Sequence, residues 1–152
     1  NLSTKWPRTP FKEFKLEGGK LRLITGKYKN EEGWQGKYLP LDFYDIHLEA
    51  NAKIEIPVIE GWSAFVFTLL GDVTVGGKLI SEKTAAKLWD GDRVLLETKE
   101  SGAEILIYAS KRLDEPVAWY GPIVMNTQDE IRQAFEELNA GAFIKERADY
   151  SN

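Results

Sequence analysis

Three polar residues that could hold a metal ion alternate along one short segment of the sequence. Asp45, His47 and Glu49 are separated from one another by single apolar residues. On a β-strand this alternation places the three polar side chains on one face, and one imidazole with two carboxylates suits iron or manganese. Same-face neighbours lie about 7 Å apart along a strand, so they would converge on one ion only if the strand bent. A solvated outer face explains the pattern equally well, and we predict no metal site, with these three residues as the only candidates for one.

Other catalytic arrangements lack the residues they need. The chain has one histidine and no cysteine, which excludes thiolate catalysis and cysteine-based zinc sites. A serine triad would have to use His47, and the sequence contains neither a Gly-x-Ser-x-Gly elbow nor a phosphate-binding loop. The carboxylate pairs Asp90/Asp92 and Asp114/Glu115 adjoin a glycine and a proline, which is typical of turns and loops. We therefore predict no catalytic residues in this chain.

The composition indicates a folded globular protein. Of the 152 residues 43% are hydrophobic, and five are tryptophans, which is enough apolar surface to form a core. No apolar run is long enough to span a bilayer, and no signal-peptide pattern is present. The net charge of −4 is uneven, because residues 1–40 are net basic and residues 41–152 net acidic. This asymmetry favours either docking to an acidic partner or ordinary solvated charge.

The elements that would position these residues are mostly short strands. Apolar or alternating runs separated by glycine, asparagine and aspartate turns extend from Lys20 to Ala109, a spacing typical of a sandwich or jelly roll. The predicted strands are 21–28, 43–48, 53–57, 64–70, 72–75, 78–80, 85–88, 93–97 and 104–109. Gly76-Gly77 predicts a tight hairpin, because glycine supplies the positive φ angles that such turns require. Residues 64–70 are apolar on both faces, which predicts a central strand with both faces buried.

One helix is strongly indicated near the end of the chain. Thr127 and Glu130 form a capping box, in which each side chain accepts a hydrogen bond from an otherwise unpaired amide. Four apolar residues then recur at helical spacing: Ile131, Ala134, Phe135 and Leu138. Asn139 and Gly141 predict the helix end.

Aromatic side chains at loop-like positions are candidates for an interface. Trp62 follows Glu60-Gly61, and Trp119 and Tyr120 precede Gly121-Pro122. Aromatic residues are enriched at protein interfaces, and we expect roughly half of the aromatic residues in this chain to lie in the core and half at an interface. A second interpretation places a small-molecule pocket inside the barrel, lined by Phe65, Phe67 and Trp89.

Three stretches of the sequence resemble one known family. Residues 115–135 contain the unusual run Tyr-Gly-Pro-Ile-Val-Met-Asn-Thr and closely resemble the C-terminal signature of the pirin family. Residues 61–77 are similar to the pirin C-terminal stretch around its first cupin motif, and residues 91–95 to a later cupin turn and strand. The resemblance implies an all-β cupin fold, which is a double-stranded β-helix or jelly-roll barrel, with one C-terminal α-helix.

The resemblance also implies a two-domain, or bicupin, protein. In pirins the N-terminal cupin holds iron through three histidines and a glutamate, and the C-terminal cupin has lost those ligands. Residues 57–64, at the position of the first motif, contain no histidine, which matches the metal-free half. We expect residues 1–19 to be a linker and the remnant of a preceding domain, 20–125 the cupin barrel, and 126–152 the helix and tail. No cofactor is expected in this chain, and iron is expected in a missing N-terminal domain.

The predicted function follows from the resemblance. We expect a metal-free C-terminal cupin domain with a structural or interaction role, packed against an N-terminal cupin domain of the same protein or a second protomer. The alternatives are part of a quercetin 2,3-dioxygenase-type iron enzyme whose active site lies outside this chain, or a pirin-type transcription coregulator. No direct nucleic-acid or membrane partner is expected. The expected location is the cytoplasm, and also the nucleus in a eukaryote.

Overall fold

Alternating apolar residues make most of the chain β-structure, as the sequence predicts. The structure is a computed structural model that describes residues 11–88 and 91–144. Its strands are β1 (Lys12–Leu16), β2 (Gly19–Thr25), β3 (Lys27–Tyr28), β4 (Glu31–Glu32), β5 (Leu41–Leu48), β6 (Lys53–Pro57), β7 (Trp62–Leu70), β8 (Val73–Val75), β9 (Lys78–Ile80), β10 (Ala85–Lys87), β11 (Arg93–Glu97), β12 (Ala103–Lys111), β13 (Ala118–Tyr120) and β14 (Ile123–Met125). A single helix, α1 (Gln128–Asn139), follows them within the described residues.

Two antiparallel sheets form the barrel. The larger has the strand order β1-β2-β5-β12-β7-β10, and the smaller has the order β6-β11-β8-β9. The strand order is not sequential, because β12 returns to pair between β5 and β7. At the predicted hairpin between β8 and β9, Gly76 and Gly77 have φ angles of 55° and 84°, which a residue with a Cβ rarely adopts. The jelly-roll prediction is confirmed.

The core lies between the two sheets, because every second residue of the strands points inward. It is made of buried aliphatic side chains from both sheets: Leu21, Leu23, Ile46, Val66, Ile105 and Ile107 from the larger, and Ile54, Ile56, Val73, Val94 and Leu96 from the smaller. The face of the larger sheet that points away from this core is called the outer face below.

The boundaries differ from the prediction at both ends of the barrel. Strand β1 lies inside the segment 1–19 that was predicted as a linker, and it pairs with β2 along its whole length. It was not predicted, because the alternating segment is short and three of its five residues are charged. At the other end the unit that contains the barrel ends at Arg112, whereas the prediction extended it to residue 125.

A second compact unit begins at Leu113. It contains the β13–β14 hairpin, which was not predicted, and α1, which was. The capping box is present, since Thr127 accepts a hydrogen bond from the Glu130 amide and the Glu130 carboxylate accepts one from the Thr127 amide. Ala118 and Ile123 of the hairpin form a small apolar cluster with Ile131 of the helix.

Several predicted features fall on residues 1–10, 89–90 and 145–152, outside the described part of the chain. They are most of the proposed linker, the end of the C-terminal tail, and the residues Trp89 and Asp90. Within residues 11–88 and 91–144, no helix combines the length and the apolar character needed to cross a membrane.

Candidate functional site

A cluster of charged side chains lies on the outer face of the larger sheet. On β5, Tyr44, Ile46 and Leu48 are buried in the core, so Asp45 and His47 between them must point outward. Strands on either side of β5 complete the cluster. The register places Arg22 of β2 opposite Asp45, and Glu104 of β12 opposite His47. Arg22, Asp45, His47 and Glu104 are called the charged cluster below.

The cluster brings three metal-ligand types together. His47 Nε2 lies 3.3 Å from Asp45 Oδ1 and 3.6 Å from Glu104 Oε1, and one ligand atom from each residue lies within 4.8 Å of the others. The Asp45 side chain is only 7% exposed, while those of His47 and Glu104 are 37% and 27% exposed. Asp45 Oδ1 and His47 Nε2 are buried atoms without a hydrogen-bond partner in the described part of the chain.

Arg22 fixes the orientation of the buried carboxylate. Its Nε donates a hydrogen bond of 2.9 Å to Asp45 Oδ2, and its terminal nitrogen donates a second one to the same oxygen. These hydrogen bonds raise the pKa of the Arg22 guanidinium above its ordinary value. Because both bonds end on Oδ2, the other carboxylate oxygen is left facing His47.

The structure brings together two of the three residues that the sequence singled out. Asp45 and His47 are in the cluster, whereas Glu49 follows the end of β5, is exposed, and does not belong to it. Glu104 was not selected from the sequence. The spacing of residues along one strand does not show which residues of a neighbouring strand lie beside them. A β-bulge at Glu104 interrupts the pairing of β12 with β7, and bulges often redirect a side chain.

Next to the charged cluster, the outer face becomes apolar. Five side chains of β5, β12 and β7 form this apolar patch: Phe43, Phe65, Phe67, Leu106 and Tyr108. The Phe43 and Tyr108 rings stack with their centroids 4.3 Å apart. Phe65, directly opposite Tyr108 on the next strand, is 44% exposed. As predicted, β7 is a central strand, since it lies between β12 and β10. The predicted burial of its second face is wrong, since only Ala64, Val66 and Thr68 face the core.

A pocket of about 300 Å³ opens at the barrel interior. Its apolar lining includes Trp62, Ala64, Val75, Ile80, Leu88 and Val94. Phe65 and Phe67 were predicted to line such a pocket, but they point to the outer face instead. The alternation of β7 sends their neighbours inward, and the third predicted residue, Trp89, lies outside the described residues.

An iron centre of the cupin type does not fit the inward-facing residues that the structure describes. The expected ligands are three histidines and a glutamate, and the single histidine of the chain faces the outer surface. On β7, close to the first-motif position, the inward side chains are Ala64, Val66 and Thr68. The Thr68 hydroxyl donates to the Ser81 carbonyl.

The other aromatic candidates from the sequence are Trp62, Trp119 and Tyr120, and none of them belongs to the charged cluster or to the apolar patch. In the unit that begins at Leu113, Trp119 and Tyr120 are 72% and 66% exposed. The Tyr120 ring meets Phe135 edge-on, and Trp119 donates to the Gly121 carbonyl. Trp62 is half-buried in the barrel.

The carboxylates assigned to turns also have local roles. Arg93 donates two hydrogen bonds to Asp92, and these lower the pKa of that exposed carboxyl. Glu115 accepts a hydrogen bond from the Asn126 side chain. Asp114 also interacts with another group of the protein.

Comparison with known proteins gives a consistent family. The family model of pirin C-terminal cupin domains matches residues 43–144. Pirin of Homo sapiens is 37% identical over 137 residues, which cover 87% of this chain and 47% of that protein. The crystal structure of a quercetin 2,3-dioxygenase from Acinetobacter baumannii superposes with a TM-score of 0.74 at 33% identity, covering 88% of this chain and 47% of that one.

A bacterial pirin from Escherichia coli, solved with nickel(II), has the same fold at a TM-score of 0.53 and 16% identity. The chain spans about half the length of the curated relatives it matches. The predicted resemblance and the cupin fold are thereby confirmed.

Proposed function

The chain belongs to the family of pirin C-terminal cupin domains, and from this premise we propose that it is a docking domain that packs against an iron-binding N-terminal cupin domain. The observation that carries this proposal is the apolar patch on the outer face. Phe65 is exposed and the other four side chains of the patch are half-buried, and contiguous apolar surface of this kind often marks an interface. We assign the patch to contact with that domain.

The sequence of β7 supports a buried role for the patch. Strands that are apolar on both faces are typical of sheets covered on both sides, and the barrel core covers only one face of β7. Phe65 and Phe67 lie on the other face of β7, which the core does not cover. A second domain laid on the outer face would bury them, and the hydrophobic effect would stabilise the contact by roughly 25 cal/mol for each Å² of apolar surface removed from water.

The partner is inferred from the length of the relatives. This chain aligns with about half of each, for example 47% of the human pirin and 47% of the Acinetobacter baumannii enzyme. A domain of similar size therefore accompanies the matched region in those proteins. Because the inner face of this barrel does not fit an iron centre, we place the iron in that accompanying domain.

Hydroxyl-radical footprinting with mass spectrometry tests the proposal directly, because it reads the solvent exposure of individual side chains. The isolated chain is compared with the protein as purified from its natural host. We expect Phe65, Phe67 and Tyr108 to be labelled in the isolated chain and protected in the natural protein. Leu79 of β9 is 58% exposed on the smaller sheet and is the matched control, expected to be labelled equally in both.

Intact mass of the natural protein decides who the partner is. A mass near twice that of the chain, together with protection of the patch, supports an N-terminal domain. Protection in a protein with the mass of this chain alone would instead make the partner a second copy, and would overturn the N-terminal assignment. Labelling of the patch as strong as that of Leu79 in the natural protein would overturn docking altogether.

A second candidate function is quercetin oxidation by the chain itself, favoured by its 33% identity to the Acinetobacter baumannii quercetin 2,3-dioxygenase. The test adds Fe²⁺ and quercetin to the isolated chain in air and follows the flavonol absorbance. We expect no oxygen-dependent loss of absorbance, since the inner face lacks imidazoles among the described residues. Turnover by the isolated chain would replace the docking function with an enzymatic one.

A further inference from the structure

The charged cluster on the outer face has the chemistry of a metal site, independently of the docking function. We propose that Asp45 Oδ1, His47 Nε2 and Glu104 Oε1 bind a divalent first-row transition-metal ion such as zinc. An imidazole with two carboxylates is a common donor set for such ions. Three protein ligands leave a fourth position for water. This site is on the side of the sheet opposite to the barrel interior.

The spacing of the donor atoms is already close to what a metal requires. Zn–N and Zn–O bonds of about 2.0–2.2 Å in a tetrahedral site place neighbouring ligand atoms about 3.4 Å apart. The observed separations from His47 Nε2 are 3.3 Å to Asp45 and 3.6 Å to Glu104. The third pair, Asp45 to Glu104, lies within 4.8 Å, so a small rotation of the partly exposed Glu104 side chain closes the site.

Two of the three donor atoms lack another partner. Asp45 Oδ1 and His47 Nε2 are buried without a hydrogen bond to the described residues. An unsatisfied buried polar atom destabilises the folded state, and the Asp45 side chain that carries Oδ1 is only 7% exposed. A cation between these atoms would satisfy both at once.

Arg22 has the role of an outer-sphere residue in this site. Carboxylates that bind metals are commonly held by a hydrogen bond to their second oxygen. Arg22 donates both of its hydrogen bonds to Asp45 Oδ2, which fixes the carboxylate plane and leaves Oδ1 for the metal. Its positive charge offsets one of the two carboxylates, so one net negative charge remains in the cluster when His47 is neutral.

The competing explanation is a protonated His47 that forms ion pairs with Asp45 and Glu104 in place of a metal. The two explanations differ in what zinc does to the imidazole. A metal site binds zinc at Nε2 in place of a proton, which changes the chemical shifts of the ring. If His47 instead forms stable ion pairs, zinc does not bind Nε2 and the ring shifts stay the same.

The single histidine makes the test unambiguous. The untagged chain, freed of metal with EDTA and dialysed, is titrated with Zn²⁺ while the ¹H and ¹⁵N signals of its one imidazole are followed by NMR. We expect the Nε2 signal to shift and to saturate at one equivalent. Mg²⁺, which prefers oxygen ligands, is expected to leave the Nε2 signal unchanged. An imidazole unaffected by Zn²⁺ would overturn the site.

Two glutamine variants then separate the ligand set of the structure from the one suggested by the sequence. Glu104→Gln is expected to weaken Zn²⁺ binding at least about 10-fold. Glu49→Gln, the matched control, is expected to change it little. The opposite result, with the loss in Glu49→Gln, would overturn the assignment of Glu104.

Calorimetric titration of a His47→Gln variant supplies an independent measurement. We expect its Zn²⁺ affinity to fall at least about 10-fold as well, and unchanged affinity would overturn the proposal. Each variant is compared with the wild type by its amide NMR spectrum, which shows that a loss of binding does not come from unfolding.

Discussion

The two faces of the larger sheet are built from the same strands and have opposite characters. The inner face of β5 and β12 presents Ile46, Ile105 and Ile107, each fully buried. The outer face of the same strands carries the charged cluster on one side and the apolar patch on the other. The inner face meets one demand, close packing against the smaller sheet. The docking and metal-binding proposals rest on this division of the outer face, because the core needs neither partly exposed aromatic rings nor a buried carboxylate beside them.

Two aspartates on β5 make the contrast sharper. Asp42 and Asp45 are both nearly buried, but they are stabilised differently. Asp42 accepts a hydrogen bond from the Lys27 backbone amide, and its burial raises its pKa. Asp45 is paired with the guanidinium of Arg22. One carboxylate binds a backbone amide, and the other belongs to the charged cluster.

The largest expected effect compares adjacent residues of β12 that point to opposite faces. Ile107→Ala removes a fully buried side chain from the core and should lower the free energy of unfolding by about 2–5 kcal/mol. Leu106→Ala, one residue away on the outer face, should cost about 1 kcal/mol in the isolated chain. Urea denaturation of both variants measures the difference. Equal losses would show that the outer face is packed as closely as the core, and would break the comparison.

The second effect concerns the charged cluster. Arg22→Met keeps an apolar stem but leaves the Asp45 carboxylate without its cationic partner. We expect a loss of about 1–3 kcal/mol in the free energy of unfolding, measured by urea denaturation in EDTA so that metal binding does not contribute. Adding Asp45→Asn to this variant should recover part of the loss, and the double-mutant cycle gives the coupling energy. Full stability in the single variant would contradict the pairing.

The smallest expected effect is the contribution of Asp42 to the pH dependence of the free energy of unfolding. Since burial raises the folded-state pKa of Asp42 above its unfolded value, the folded state holds this proton more tightly. The stability associated with the protonated form is therefore present below about pH 3.9, the ordinary aspartate pKa, and is lost as pH rises through the higher folded value. Asp42→Asn cannot undergo this loss. The difference in free energy of unfolding, variant minus wild type, should therefore increase with pH, and a difference that falls with pH would contradict the assigned shift.

Local features of the fold were predictable because their signals are local. The capping box of Thr127 and Glu130, the Gly76-Gly77 hairpin and the strands β6, β9 and β11 follow from turn chemistry and side-chain alternation within a few residues. Strand β1 was missed because its residues are mostly charged, and its pairing with β2 comes from the sheet rather than from its own propensity.

The candidate site was only partly predictable. Asp45 and His47 could be selected because one strand places both on one face. Their third partner could not, because Glu104 lies 57 positions further along the chain than His47 and meets it only through the pairing of β12 with β5. The spacing of same-face residues along a strand is about 7 Å, whereas residues opposite each other on neighbouring strands lie about 5 Å apart. A cluster of ligands on a sheet is therefore more compact across strands than along one.

The sequence by itself determined the family, the all-β class, the helix and the absence of a histidine-rich barrel interior, since each depends on residue identity or on short-range periodicity. The tertiary structure decided which face each residue occupies and which distant residues meet. Phe65 and Phe67 point outward, and Glu104 rather than Glu49 lies beside His47. The apolar patch therefore lies next to the charged cluster. The physical reason is that strand order is set by how the two sheets enclose their common core. That enclosure depends on contacts between residues far apart in the chain.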